Sequence, residues 1–185
     1  LPQNLGNSNL GPERTVEREL GFDWSVFDGR VASEFTYYSG RTKDALFPVE
    51  SPPSLGFQSA QLKNVGEISN KGIEASVTWR VVERPQLTWT LRPSLATNNS
   101  KVLSLGEATP LSLGNHGWLL EGEPLMVLRG VKLLNPDELA DPEVELNHVF
   151  GPNTPTRIVG IATTFEFPGQ ISLSARGEYQ GGHYI

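Results

Sequence analysis

Glu19-Leu20-Gly21-Phe22-Asp23-Trp24-Ser25-Val26-Phe27-Asp28-Gly29-Arg30-Val31-Ala32-Ser33-Glu34-Phe35-Thr36-Tyr37-Tyr38 alternates in side-chain character on both sides of an Asp-Gly pair. Successive side chains of a β-strand point to opposite faces. Leu20, Phe22, Trp24 and Val26 therefore share one face, and Glu19, Gly21, Asp23 and Ser25 the other. Asp28 and Gly29 both tolerate the positive φ of a tight hairpin turn. The return strand sets Val31, Ser33, Phe35 and Tyr37 against Ala32, Glu34, Thr36 and Tyr38, with weaker contrast.

The same period recurs along the chain. Ile73, Ala75, Val77 and Trp79 oppose Glu74, Ser76, Thr78 and Arg80, and a short connection at 83–86 follows. Leu87, Trp89, Leu91, Pro93 and Leu95 then alternate with Thr88, Thr90, Arg92, Ser94 and Ala96. Pro93 lacks an N–H for the ladder, so a bulge or an end of continuous pairing is expected there. Strands over 158–167 and 171–179, joined by Pro168-Gly169-Gln170, complete about six.

Connection lengths alternate too: short turns at 28–29, 83–86 and 168–170, long irregular stretches at 39–71 and 97–156. Outer-membrane barrels have this asymmetry, with short periplasmic turns and long outer loops. Glu19, Asp23, Glu34, Glu74, Arg80, Arg92, Glu166, Arg176 and Glu178 all lie opposite the aromatic stripe, as a wet lumen opposite a lipid-facing wall requires. A soluble β-sandwich also solvates one face of each sheet, and at this level it stays open.

Composition excludes other classes. With 19 Gly and 14 Pro in 185 residues and 37% apolar content, turns are dense. Fifteen Lys plus Arg against 21 Asp plus Glu leave a net charge of -6, so nucleic acid is not an expected partner. The absence of cysteine removes disulfides and thiolate chemistry. No apolar run reaches the ~20 residues of a spanning helix, and residues 1–4 do not read as a signal peptide, so lipid would be met by strands.

Several segments are similar to SusC-like TonB-dependent transporters, which import bulky nutrients through the outer membrane. Leu10-Gly11-Pro12-Glu13-Arg14-Thr15-Val16-Glu17-Arg18-Glu19-Leu20-Gly21-Phe22-Asp23 resembles the family's approach to a barrel strand. Leu62-Lys63-Asn64-Val65-Gly66-Glu67-Ile68-Ser69-Asn70-Lys71-Gly72-Ile73-Glu74 is the most specific match. Tyr37-Tyr38 with Arg41-Thr42-Lys43-Asp44, Lys101-Val102-Leu103-Ser104-Leu105-Gly106 and Tyr179-Gln180-Gly181-Gly182-His183-Tyr184 follow in the family's order. In the second match, Asn70-Lys71-Gly72 reads as a turn before a strand, and Asn64-Val65-Gly66 as part of a loop folding back on the barrel rim.

The resemblance implies an all-β fold: an antiparallel meander of about six strands forming part of a barrel wall in the bacterial outer membrane. It implies a single barrel segment over 1–185 with no plug domain. A whole barrel of this class has about 22 strands, so the chain is expected to be a fragment or to join a larger assembly that covers its edges. Expected partners are the remainder of the barrel, outer-membrane lipid, a nutrient (glycan, peptide or chelate) and a surface lipoprotein. The competing readings are a structural subunit that scaffolds a complex by edge pairing and a soluble carbohydrate-binding sandwich.

No phosphate loop, metalloprotease helix or nucleophile elbow occurs, so neither an enzyme nor a cofactor is expected. His116, His148 and His183 lack metal-ligand spacing. Asp137, Glu138 and Asp141 gather carboxylates in one loop and form a weak Ca²⁺ candidate without the spacing of a known calcium loop. Trp24, Trp79 and Trp89 fall in apolar stripes, as an interfacial girdle or a core would place them. Trp118, with His116 and Arg129 in the long loop, is the candidate contact for a ligand or partner.

Overall fold

The computed structural model describes residues 6–50, 54, 56, 60–114, 117–138 and 140–185. Strands dominate: β1 (Arg14–Val26), β2 (Val31–Val49), β3 (Gln61–Arg84), β4 (Leu87–Thr97), β5 (Asn99–Ser104), β6 (Leu111–Ser112), β7 (Gly117–Leu119), β8 (Val127–Leu133), β9 (Val144–Pro152), β10 (Arg157–Phe167) and β11 (Ile171–Gly181). The main sheet runs β1-β2-β3-β4-β10-β11, with β5 also paired to β3, and a second sheet runs β6-β7-β8-β9. Every pairing is antiparallel. The six expected strands thus form sequential neighbours, with the β5–β9 insertion between the fourth and fifth.

The turns follow their residues. Asp28 (φ 55) and Gly29 (φ 81) take the left-handed conformation that matches strand twist, and the Arg30 N–H donates to the Phe27 carbonyl at 3.1 Å. Gly169 (φ 80) and Gln170 (φ 64) do the same between β10 and β11.

Register joins the separate stripes into two continuous faces. Leu20 meets Tyr37 and Phe22 meets Phe35 across β1–β2. Tyr37 meets Ile73, and Phe35 meets Ala75, across β2–β3. Ala75 then meets Leu95, Leu95 meets Val159, and Val159 meets Tyr179. Phe22 stacks on Phe35 at 5.2 Å and Trp89 on Phe165 at 5.6 Å along this apolar face. The Trp89 indole N–H donates to Thr163 Oγ1 at 2.9 Å, which satisfies its one polar atom. The opposite face carries Glu34, Ser76 and Arg92 in one hydrogen-bonded group.

Among the described residues, no second sheet covers the apolar face. Leu20 is 71% exposed, Phe22 56% and Leu173 64%. A sandwich would have buried these side chains against one another, so that reading fails. The buried core lies elsewhere: Ala45, Phe47, Val102, Leu105 and Leu119, with Val65, Ile68 and Leu125 packed against it.

The long connections are shorter and more ordered than expected. β2 and β3 continue in pairing to Val49 and Gln61, so the break spans 50–60 instead of 39–71. From Tyr38 to Asp44 β2 is polar on both faces, and on β3 only Ile68 is apolar between Gly66 and Ile73, so period-two hydrophobicity has little to mark there. The stretch 97–156 contains β5 to β9. Asn70-Lys71-Gly72 forms no turn, because it lies inside β3. Gly72 has another reason: its cross-strand partner is Tyr38, whose phenol crosses it to donate to the Thr97 carbonyl at 3.1 Å, where a Cβ would collide with the ring. Pro93 lies within β4, where β3–β4 pairing lapses between Ser76–Ser94 and Trp79–Leu91; the bulge itself falls at Arg80/Val82.

Candidate binding site at the loop end of the sheet

Asp44 (φ 57) interrupts the register of β2 against β3, and an irregularity follows on both sides of Ala45. This bulge turns Ala45, Phe47 and Val49 into the buried core. Glu13 accepts from the Leu46 N–H at 2.7 Å beside the bulge. Asn64 donates to the Gly11 and Asp44 carbonyls at 2.8 and 2.9 Å and accepts from the Gly11 N–H at 2.8 Å. Gly66 leaves room for the Phe47 ring, and Val65 packs against Gly106. The segment expected to fold back as a loop is thus strand β3, and its Asn-Val-Gly sequence clasps the chain before β1, the bulge and the core together.

Ile68 pairs with Thr42 and Val102 and follows the parity of Asn70, Gly72 and Glu74, so the core is on the polar face of the wall. The Val102 N–H donates to the Glu123 carbonyl and the Gly122 N–H to the Val102 carbonyl, both at 2.9 Å. Leu105 N–H reaches Glu121 at 3.1 Å and Leu125 N–H reaches Ser100 Oγ at 3.2 Å. The second sheet is therefore anchored on the polar side of the wall, at the end away from the short turns.

Trp118 on β7 and Arg129 on β8 meet there, with the guanidinium carbon 4.8 Å from the indole centroid. Arg129 Nε also donates to the Asn147 carbonyl at 3.4 Å. The same arginine lines an open groove of about 370 Å³ with Leu128, Gly130, Phe150 and Tyr184. His148 meets Phe150 edge-on at 4.8 Å and bonds Glu145 at 2.9 Å. Phe150 and Tyr184 come from distant stretches, and only the fold brings them to Arg129. Gly151 (φ 136) is the one local signal, because a Cβ there would strike the Tyr184 ring. His116 lies outside the described residues.

The calcium candidate is organised by a different residue. Asn135 donates to the Asp141 carbonyl at 2.8 Å and accepts from the Glu143 N–H at 2.6 Å, while Glu138 and Asp141 N–H groups close backbone turns. Among the described residues, no group of three carboxylate or imidazole side chains is placed to hold a metal ion, so Asp137, Glu138 and Asp141 are not brought together. The groove offers aromatic faces, an apolar wall and one guanidinium, which suits recognition of a sugar ring or a peptide.

A two-faced antiparallel sheet with short turns at one end and a folded insertion on the polar side at the other is the wall of an outer-membrane β-barrel. The chain belongs to the TonB dependent receptor-like, beta-barrel family, which matches residues 2–182. It is 36% identical over 135 residues to TonB-dependent receptor P26 of Formosa agariphila, covering 69% of this chain and 14% of that protein. It is 27% identical over 99 residues to TonB-dependent receptor SusC of Bacteroides thetaiotaomicron, covering 54% of this chain and 10% of that one. The solved RagAB peptide importer in its open-open state matches with a TM-score of 0.79 over 98% of this chain and 22% of that chain, at 19% identity, a likeness of fold. The chain thus spans 14% or less of the curated relatives it matches. Its place is the bacterial outer membrane.

Proposed function

We propose that this segment forms part of the wall and outer mouth of a TonB-dependent importer of a bulky nutrient, binding through the β6–β9 insertion and releasing its cargo by conformational change without bond chemistry. The observation that carries this reading is the Arg129 groove, held on the polar side of a wall whose other side is apolar. A barrel mouth is where arriving cargo first meets fixed side chains. Trp118 fixes Arg129 from behind, and Phe150 and Tyr184 supply flat faces for a sugar or a peptide side chain. RagAB is a peptide importer, which makes peptides one cargo to test here, and glycans or chelates are the others. A surface lipoprotein is the proposed partner above the mouth.

The test uses the full-length protein containing this segment, with a peptide library and an oligosaccharide library as probes. Trp118→Ala or Arg129→Ala should weaken binding of the accepted class roughly tenfold, about 1.4 kcal/mol, with the amount of assembled protein unchanged. Unaltered binding in both variants would place recognition elsewhere.

A further inference from the structure

The apolar face changes character abruptly beyond Tyr37 and Ile73. On β1 and β2 the same-face positions become Arg14, Val16 and Arg18, paired with Lys43, Arg41 and Ser39. Farther along that row, Lys71 pairs with Ser39 and Lys101 with Ser69, while Arg157 precedes Val159 on β10. All of these cations are exposed. Glu17 and Glu19 alternate with them on β1 and so project to the opposite face. Of this row only Arg41 makes an ion pair among the described residues, with Glu67 at 2.6 Å, and Glu67 lies on the same face, opposite Lys43. At the short-turn end Asp28, Arg30, Glu83 and Arg84 mix both signs. Arg14, Arg18, Arg41 and Lys43 line a cleft of about 600 Å³, and Asp44 is the one acid in its lining.

We propose that this row is a binding site for the phosphorylated headgroups of outer-leaflet lipid. The inference rests on the barrel-wall reading and is separate from cargo recognition. Its position selects the ligand: the cleft continues the lipid-facing stripe at the end carrying the folded insertion, which barrel asymmetry assigns to the cell exterior. A bilayer contact at that height meets headgroups. Fixed cations that outnumber the nearby carboxylates of Glu67 and Asp44 recruit anions there, and guanidinium groups fit phosphate oxygens in bidentate fashion. Exposed Val16, 62% accessible between Arg14 and Arg18, gives an acyl chain an apolar footing inside the cleft.

The experiment measures binding to the full-length protein in neutral detergent, using a bisphosphorylated glycolipid, its enzymatically dephosphorylated form and inorganic pyrophosphate as probes. The bisphosphorylated lipid should bind at least tenfold more tightly than either other probe, and added salt should weaken it. Arg14→Gln/Arg18→Gln/Lys43→Gln should lose that preference, whereas Arg30→Gln/Arg84→Gln should keep it. If the triple variant assembles poorly, Arg14→Lys/Arg18→Lys keeps the charge and should retain the preference for phosphorylated lipid. Equal binding of the dephosphorylated lipid, or an unchanged triple variant, overturns the proposal. Pyrophosphate binding as tight as the lipid overturns its lipid source. Trp118→Ala should leave lipid binding unchanged, so failure of the cargo site and failure of the lipid site are distinguishable.

Discussion

Asn64 joins backbone from three places, the segment before β1, the β2 bulge and β3, through bonds of 2.8 to 2.9 Å. Asn64→Ala removes all three and should cost about 1–2 kcal/mol. Asn64→Asp keeps the acceptor and should fall between. Unfolding of the purified full-length protein, read by its heat-dependent gel mobility, checks the order; equal midpoints for wild type and Asn64→Ala would show the clasp to be incidental. Gly66→Ala drives a methyl group into the Phe47 ring and should cost about 1–3 kcal/mol by overpacking. These roles were invisible before folding: the sequence displayed Asn64-Val65-Gly66 as a motif, but its partners Gly11, Asp44, Phe47 and Gly106 lie in other segments. Gly72 was legible only as a glycine, since the side chain that excludes a Cβ belongs to Tyr38 on another strand.

At the scale of elements, β1, β10 and β11 and their turns could be read directly, because Leu20 to Val26 and Ile171 to Tyr179 repeat one apolar residue in two and Asp-Gly or Pro-Gly marks the reversal. The upper halves of β2 and β3 could not, since Ser39 to Lys43 is polar on both faces and Glu67 to Lys71 has one apolar residue, Ile68, too few to show a period. The second sheet was hidden for a different reason. β6 and β7 are two and three residues long, and register shifts at Leu128/Arg129 and Gly130/Lys132 break any period in β8 and β9. Trp118 and Arg129 could be picked out as loop residues, but their contact and the Phe150–Tyr184 side of the groove depend on those pairings. The stripe also makes a graded prediction. Phe22 and Trp79 both lie inside it, about six residues from the turns that follow their strands, whereas Phe167 is the last residue of β10, at the short turn. Phe22→Arg should cost roughly 2–4 kcal/mol and impair assembly, while Phe167→Arg should cost roughly 0–1 kcal/mol. Quantifying folded protein in outer membranes checks this; equal losses at the two sites would contradict the depth assignment.

For the molecule as a whole, the stripe runs eight residue steps from Ile171 to Tyr179, ~26 Å along the strand and ~20 Å after the tilt of a barrel wall. That height approaches the apolar band of outer-membrane barrels. Among the described residues β1 and β11 each have one unpaired edge, which the remaining strands of a larger barrel would close. The central claim is that one face of the main sheet meets lipid and the other meets water. This segment contains no cysteine, so single spin-labelled cysteines can be placed in turn at positions 19–26 of the full-length protein in bilayers. Relaxation by dissolved oxygen should peak at 20, 22, 24 and 26, and relaxation by a water-soluble nickel chelate at 19, 21, 23 and 25. A profile without this two-residue period, or one with the faces exchanged, would contradict the account.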